Sequence, residues 1–196
     1  LVPRNDPEQP DAPRPDRLFL DAVCAWLDPR RLVTTEVFLR GPVYKKVWVS
    51  AAIDVETERS IAEVRQAVEQ TLRMALAPLP PEGAESGPDA LLPLFTKTTS
   101  TDPRGWPLRK SVVALELAAI TARVAGVTAV RELLLAGETD TTSQASIPMR
   151  GLELPRVVGI IVSLGTAVPI ADLRGKPGAG AGPSSFLPIP VVPEEC

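Results

Sequence analysis

Histidine is absent from the chain. Zinc and haem thereby lose a principal ligand, and acid–base catalysis loses its usual group near neutral pH. Cysteine is scarce: Cys24 and Cys196 are the only two in 196 residues. They make no disulfide framework, and their number fits a reducing compartment; a bridge between them is open but has no support in the sequence. Aromatic residues make up only 4%, so any core must be aliphatic. No apolar run approaches the roughly 18 residues that a membrane-spanning helix requires. The longest, around Val157 to Leu164, is the length of a strand. Charge of one sign is also lacking: 21 Lys and Arg stand against 24 Asp and Glu, a net charge of -3. The basic residues are scattered, without the stripe or face expected of a nucleic-acid binder.

Apolar residues reach 44%, enough for a real core in one domain with or without arms. Proline is in excess, with 22 residues against a usual share of about 5%. The prolines cluster at 3–15, 78–93 and 169–193, between and beyond the periodic segments. Residues 1–16 are expected as an extended N-terminal arm, 17–165 as the domain, and 166–196 as an extended C-terminal arm. The chain opens on Leu1 rather than Met, so a start inside a longer product is expected, and no signal-peptide pattern stands at this end.

Asp16 is placed to cap a helix over Arg17 to Leu27, with Leu18, Leu20, Ala22, Val23, Trp26 and Leu27 on or near one face. Asp28-Pro29 stops it. "RLVTTEVFLR" alternates and reads as a strand leading into "GPVYKKVWVSAAIDV", a second strand that ends at Asp54 or Val55. "SIAE" has capping-box spacing ahead of a helix whose apolar face is Ile61, Val64, Val68, Leu72, Ala75 and Leu79. Arg65–Glu69 and Glu69–Arg73 are i,i+4 pairs on its other side. Residues 80–105 form a long Pro/Gly/Ser/Thr-rich connection. Ser111 then caps a helix expected over Val112 to Val124, with Gly126 just past its end. "VTAVRELLLAG" is a strand, "ETDTTSQAS" a polar loop, and "LELPRVVGIIVSLG" holds the last strand. The expected class is α+β: a small mixed sheet of three to four strands with two helices on one face, plus Pro-rich arms.

Catalytic vocabulary is thin. Asp54, Glu56 and Glu58 cluster at a strand end beside a helix start, where negative side chains favour the helix dipole. "GKPGAGAGPSS" lacks the Gly-Lys-Ser/Thr ending of a phosphate loop. No catalytic, cofactor-binding or metal residues are assigned, and no cofactor is expected. Aromatic and apolar side chains are the candidate partner contacts: Tyr44, Trp48, Trp106, Phe186, Leu187 and Ile189. Each has a plainer alternative. Trp106 either anchors a partner or pins its own turn, the second being commoner. Tyr44 and Trp48, four apart on one strand face, either pack under the helices or form an exposed face; packing is favoured.

Several motifs occur in a telling order. "LDPRRLVTTEVFLRGPVYKKVWVSAAIDV" contains Arg-Arg-x-x-Thr-Thr before Pro-x-Tyr and a strand. "GWPLRKSV", "VAGVTAVRELLL" and "LELPRVVGIIVSL" follow. Over residues 18–165 this order resembles the C-terminal part of the baseplate J-like proteins of contractile injection systems and contractile-tailed phages. The Pro-rich 80–105 connection and the tail after residue 166 depart from that pattern. The resemblance implies a non-enzymatic wedge component in a bacterial, phage-tail-like particle assembled in the cytoplasm, linking spike hub to sheath. It implies as partners a J-like paralogue or second copy, other baseplate subunits, and sheath and hub proteins, with no nucleic acid and no membrane insertion. A stand-alone adaptor whose Pro-rich arms dock a partner is the alternative.

Overall fold

The computed structural model describes residues 1–174 apart from 5, 7, 8, 10, 33 and 80–104, together with the backbone of Glu194–Glu195. The fold is α+β. Its centre is a three-stranded mixed sheet in the order β4-β2-β6. Strand β2 (Val43–Val55) lies in the middle; β4 (Val127–Gly137) pairs with it antiparallel and β6 (Glu153–Leu164) parallel.

Two helices cover one face. Helix α2 (Ile61–Ala75) packs toward β6, and α3 (Ala114–Thr121) toward β4. The odd-numbered residues Val47, Val49 and Ile53 of β2 meet Val64, Val68 and Leu72 of α2 and Leu117 and Ile120 of α3 in one core. Val64, Val68 and Leu72 recur at four-residue steps and are all buried, each contributing about 1.5–3 kcal/mol. Ile61, expected on that face, is exposed instead. Ser60 occupies the N-cap position, but its side chain makes no capping bond, so the box does not close. The Glu69–Arg73 pair forms at 2.8 Å across the exposed side.

The opposite face carries small side chains. Ser50, Ala52 and Ala136 are buried there, beneath the single turn α4 (Ile170–Leu173), which packs on all three strands. The expected boundary at 165 is therefore too early: residues 166–174 belong to the domain because the second sheet face needs a cover. A Cβ at Gly159 would lie 3.1 Å from Trp48 Cδ1 and 3.4 Å from Leu173 Cδ1, so the closeness of this layer depends on glycine.

Two expected elements are shorter than their patterns. "RLVTTEVFLR" yields only β1 (Phe38–Leu39), paired with β7 (Glu194–Glu195). Upstream, Arg31 bonds Asp28 and the Thr35 carbonyl, closing a local turn. Alternation needs a partner strand to become a strand, and among the described residues of this segment only Phe38 and Leu39 have one. Likewise Val112–Val113 forms strand β3 against β5 (Ser146–Ile147), delaying the start of α3 to Ala114. Gly126 holds φ +95, and a Cβ there would meet Val64 Cγ2 at 2.8 Å. An L-residue at Gly126 therefore suffers both left-handed strain and a clash.

Helix α1 (Arg17–Leu27) follows its predicted bounds, and the Asp16 carboxylate accepts from Phe19 N at 2.7 Å. Cys24, for which a bridge was left open above but without support in the sequence, is disulfide-bonded. That removes it from the argument for a reducing compartment; Cys196 lies outside the described residues. The N-terminal segment lies against the domain: Pro3, Ala12, Pro13 and Pro15 are buried, and the Leu1 ammonium donates to Arg40 O at 2.7 Å. Local bonds from Gln9 N and Arg14 N to the Asp6 carboxylate shape this segment.

Candidate interaction surface

The aromatic residues singled out as partner contacts are largely engaged by the chain itself. Trp106 is 7% exposed and belongs to the main core. Its backbone N donates to Ala77 O at 2.9 Å, and its indole Nε1 to Lys110 O at 3.0 Å. The turn is fastened to the end of α2 at a point where Gly105 (φ +84) brings backbone against backbone. Trp106 pins its own turn and offers little of its ring to a partner.

Tyr44 is half-buried at the core margin, and its hydroxyl donates to Pro13 O at 2.8 Å. Burial pushes its phenol up to about 12 from the ordinary 10.0; Arg14 and Arg156 oppose that rise, and Asp6 adds to it. Trp48 sits beneath α4, with the Arg174 guanidinium 4.7 Å from its ring centroid. Tyr44 is thus covered by the N-terminal segment, and Trp48 by the turn after β6. Neither is packed beneath α2 and α3 as expected, because those helices take the other face of the strand's alternation. Phe186, Leu187 and Ile189 lie outside the described residues.

Two of the three clustered carboxylates, Asp54 and Glu56, form ion pairs. Asp54 accepts from Arg131 Nε at 2.6 Å, and Glu56 lies 3.7 Å from Arg59. Among the described residues no group of three or more His, Cys, Asp or Glu is placed to hold a metal ion. No helix among them is long and apolar enough to cross a membrane.

Two surface features were not legible as such in the sequence. On α1, Leu18 is 77% and Trp26 59% exposed, although both were placed with Leu20 on or near one apolar face. Leu20 is the residue that turns inward. The helical angle separates them: Leu18, Ala22 and Trp26 follow one i, i+4, i+8 line, and Leu20 lies well round the helix from it. Arg30 stacks 4.2 Å from the Trp26 ring centroid and donates to its carbonyl at 2.6 Å. The second feature is a groove of about 520 Å³ between α2 and the end of α3, with Val64, Ala67, Ile120 and Val124 in its apolar lining and Arg59, Glu63 and Arg123 as its charged lining residues. Such a groove needs two helices to be neighbours, which periodicity within either one does not reveal.

A scan against protein-family models finds no match, and neither does a search of curated proteins.

Proposed function

We propose that this chain is a structural baseplate wedge component of a contractile injection machine, linking the spike hub to the sheath. The observation that carries the reading is where the four resemblance motifs fall. Pro42-x-Tyr44 leads into the central strand β2. Gly105-Trp106-Pro107 is the turn fastened to α2. The other two motifs lie on β4 and β6, the two neighbours of β2. Arg30-Arg31 and Thr34-Thr35 of the first motif lie upstream of the sheet, but the rest of the motifs fall on one sheet and the turn that holds its helix layer, which supports reading them as one structural module.

The role is mechanical and non-enzymatic in this reading. A rigid α+β centre fixes the chain's flanks: the N-terminal segment is packed on the domain, and Glu194–Glu195 pairs with Phe38–Leu39. Neighbouring subunits, a J-like paralogue or second copy, hub and sheath are the proposed partners. The adaptor alternative loses part of its basis, since Pro3, Pro13 and Pro15 are buried against the domain rather than presented.

The test is a tagged pull-down from the native host with negative-stain microscopy of the eluate. Six-fold baseplates or sheathed tubes, with a J-like paralogue and a spike protein, are expected. A lone monomer, or one unrelated signalling protein in their place, would overturn the wedge reading in favour of the adaptor.

A further inference from the structure

We infer that Cys24 and Cys196 form a redox-responsive clasp, which fastens the C-terminal flank to the domain when oxidised and lets it go when reduced. Cys24 lies half-buried in α1 and is disulfide-bonded, and no described cysteine is a free thiol. The chain holds one other cysteine, Cys196, which is therefore the partner available within a single copy. A second, independent observation brings the same end of the chain to the domain. Glu194 and Glu195, the two residues before Cys196, pair antiparallel with Leu39 and Phe38. Sulfur and strand thus tie one flank to two different elements, α1 and β1.

Strand β1 is where both flanks meet. Leu39 stands opposite Glu194, and the next residue, Arg40, accepts through its carbonyl from the Leu1 ammonium at 2.7 Å. Beyond Arg40 the chain enters the central strand β2 at Val43. Holding or releasing the C-terminal flank therefore acts on the lead-in to the sheet.

The strand pairing is too small to hold the flank by itself. Strands β1 and β7 have two residues each and make a sheet of their own. Even a full two-stranded hairpin is marginal in water, and glutamate is a poor strand former. The two strands are also distant in sequence, so their meeting closes a loop that takes in most of the chain, and closure costs more entropy as the loop lengthens. A disulfide one residue beyond β7 meets that cost in advance. It keeps Glu194–Glu195 at high effective concentration beside β1. Pairing therefore follows the redox state of the bond.

The exchange balances with a dithiol as reductant. One of its thiolates attacks one sulfur of the bond and forms a mixed disulfide, and the other protein sulfur leaves as a thiolate. The second thiol of the reductant then displaces the remaining protein sulfur. Two electrons pass to the chain, the two protons of the dithiol end on Cys24 and Cys196, and the reductant leaves as its own disulfide. Reducing surroundings favour the open flank and oxidising ones the clasped flank. The inference concerns this chain alone and does not depend on the baseplate reading.

The test uses the full chain purified without reductant. Peptide mapping by mass spectrometry is expected to find Cys24 linked to Cys196. Hydrogen exchange is then compared with and without dithiothreitol. Reduction should speed exchange in the peptide spanning Phe38–Leu39 about tenfold or more, leave Val47 to Ile53 of β2 unchanged, and be reversed by reoxidation. Cys196→Ser should exchange like the reduced protein with no reductant present, and Cys24→Ser repeats the test from the other sulfur. A Cys24–Cys24 link between two copies, or two free thiols after air oxidation, would overturn the inference. So would exchange at Phe38–Leu39 that reduction leaves unchanged. A rise that extends into β2 would make the bond a staple of the whole fold, and the clasp would be wrong on that ground too.

Discussion

Arg174 and Trp48 form a stacked pair on the face of the sheet opposite α2 and α3, with guanidinium and ring centroid 4.7 Å apart. The same guanidinium donates from Nη2 to the Gly137 carbonyl, at the end of β4. One side chain therefore ties α4 to the central strand and to its antiparallel neighbour. Arg174→Ala should lower unfolding free energy by about 1–2 kcal/mol through loss of the stack and the hydrogen bond. Lysine should restore only part of that, because it lacks the flat fork. Urea unfolding measures the first. Hydrogen exchange at Ile170 to Leu173 shows whether the loss is confined to α4; unchanged exchange there would contradict the tie.

Tyr44 is the sole tyrosine of the chain, so tyrosinate absorbance reports it directly. Its folded-state pKa is raised to about 12 by burial, against 10.0 when free. Between those values the unfolded chain has released the proton while the folded chain still holds it. Stability is therefore fully present below pH 10 and falls as the pH rises from about 10 to about 12. Tyr44→Phe should abolish the tyrosinate signal and flatten that part of the alkaline fall. At neutral pH the variant should lose about 1 kcal/mol with the bond to Pro13. A native tyrosinate transition centred at 10.0 would show that Tyr44 is not enclosed as described.

Ser50 is fully buried in β2, and its hydroxyl has no hydrogen-bond partner among the described residues. A buried hydroxyl without a partner carries its desolvation cost uncompensated. Ser50→Ala should leave the protein equally stable or more stable by about 1 kcal/mol, read from the urea midpoint. A loss of comparable size would mean that the hydroxyl is bonded in solution.

The parts of the fold that were legible in the sequence depend on local regularity. The bounds of β2, α1, β4 and the last strand follow from alternation, a capping aspartate and breakers at Gly41-Pro42, Asp28-Pro29 and Gly126. What escaped depends on pairing and layering. Val112–Val113 is strand because Ser146–Ile147 is available opposite, and Thr34 is turn, with no strand paired to it among the described residues. The fate of the aromatic residues was legible only as alternatives. Trp106 resolves to the core, whereas Trp48 is covered by a four-residue helix that the Gly/Pro-rich composition around it disguised. The α1 ridge was visible as an apolar face, but a sequence does not say which side of an apolar helix its own domain will use.

The parallel register of β2 and β6, from Val43↔Glu153 to Ile53↔Leu164, has a consequence for force. The N-terminal flank enters at the start of β2, and the C-terminal flank leaves at the end of β6. Tension applied at the start of β2 and the end of β6 pulls these neighbouring strands in opposite directions along their length. The ladder is then sheared, with its hydrogen bonds loaded together rather than peeled one after another. The antiparallel β2–β4 pair lies outside that line of load, so the sheet divides into a tension-bearing pair and a bracing strand.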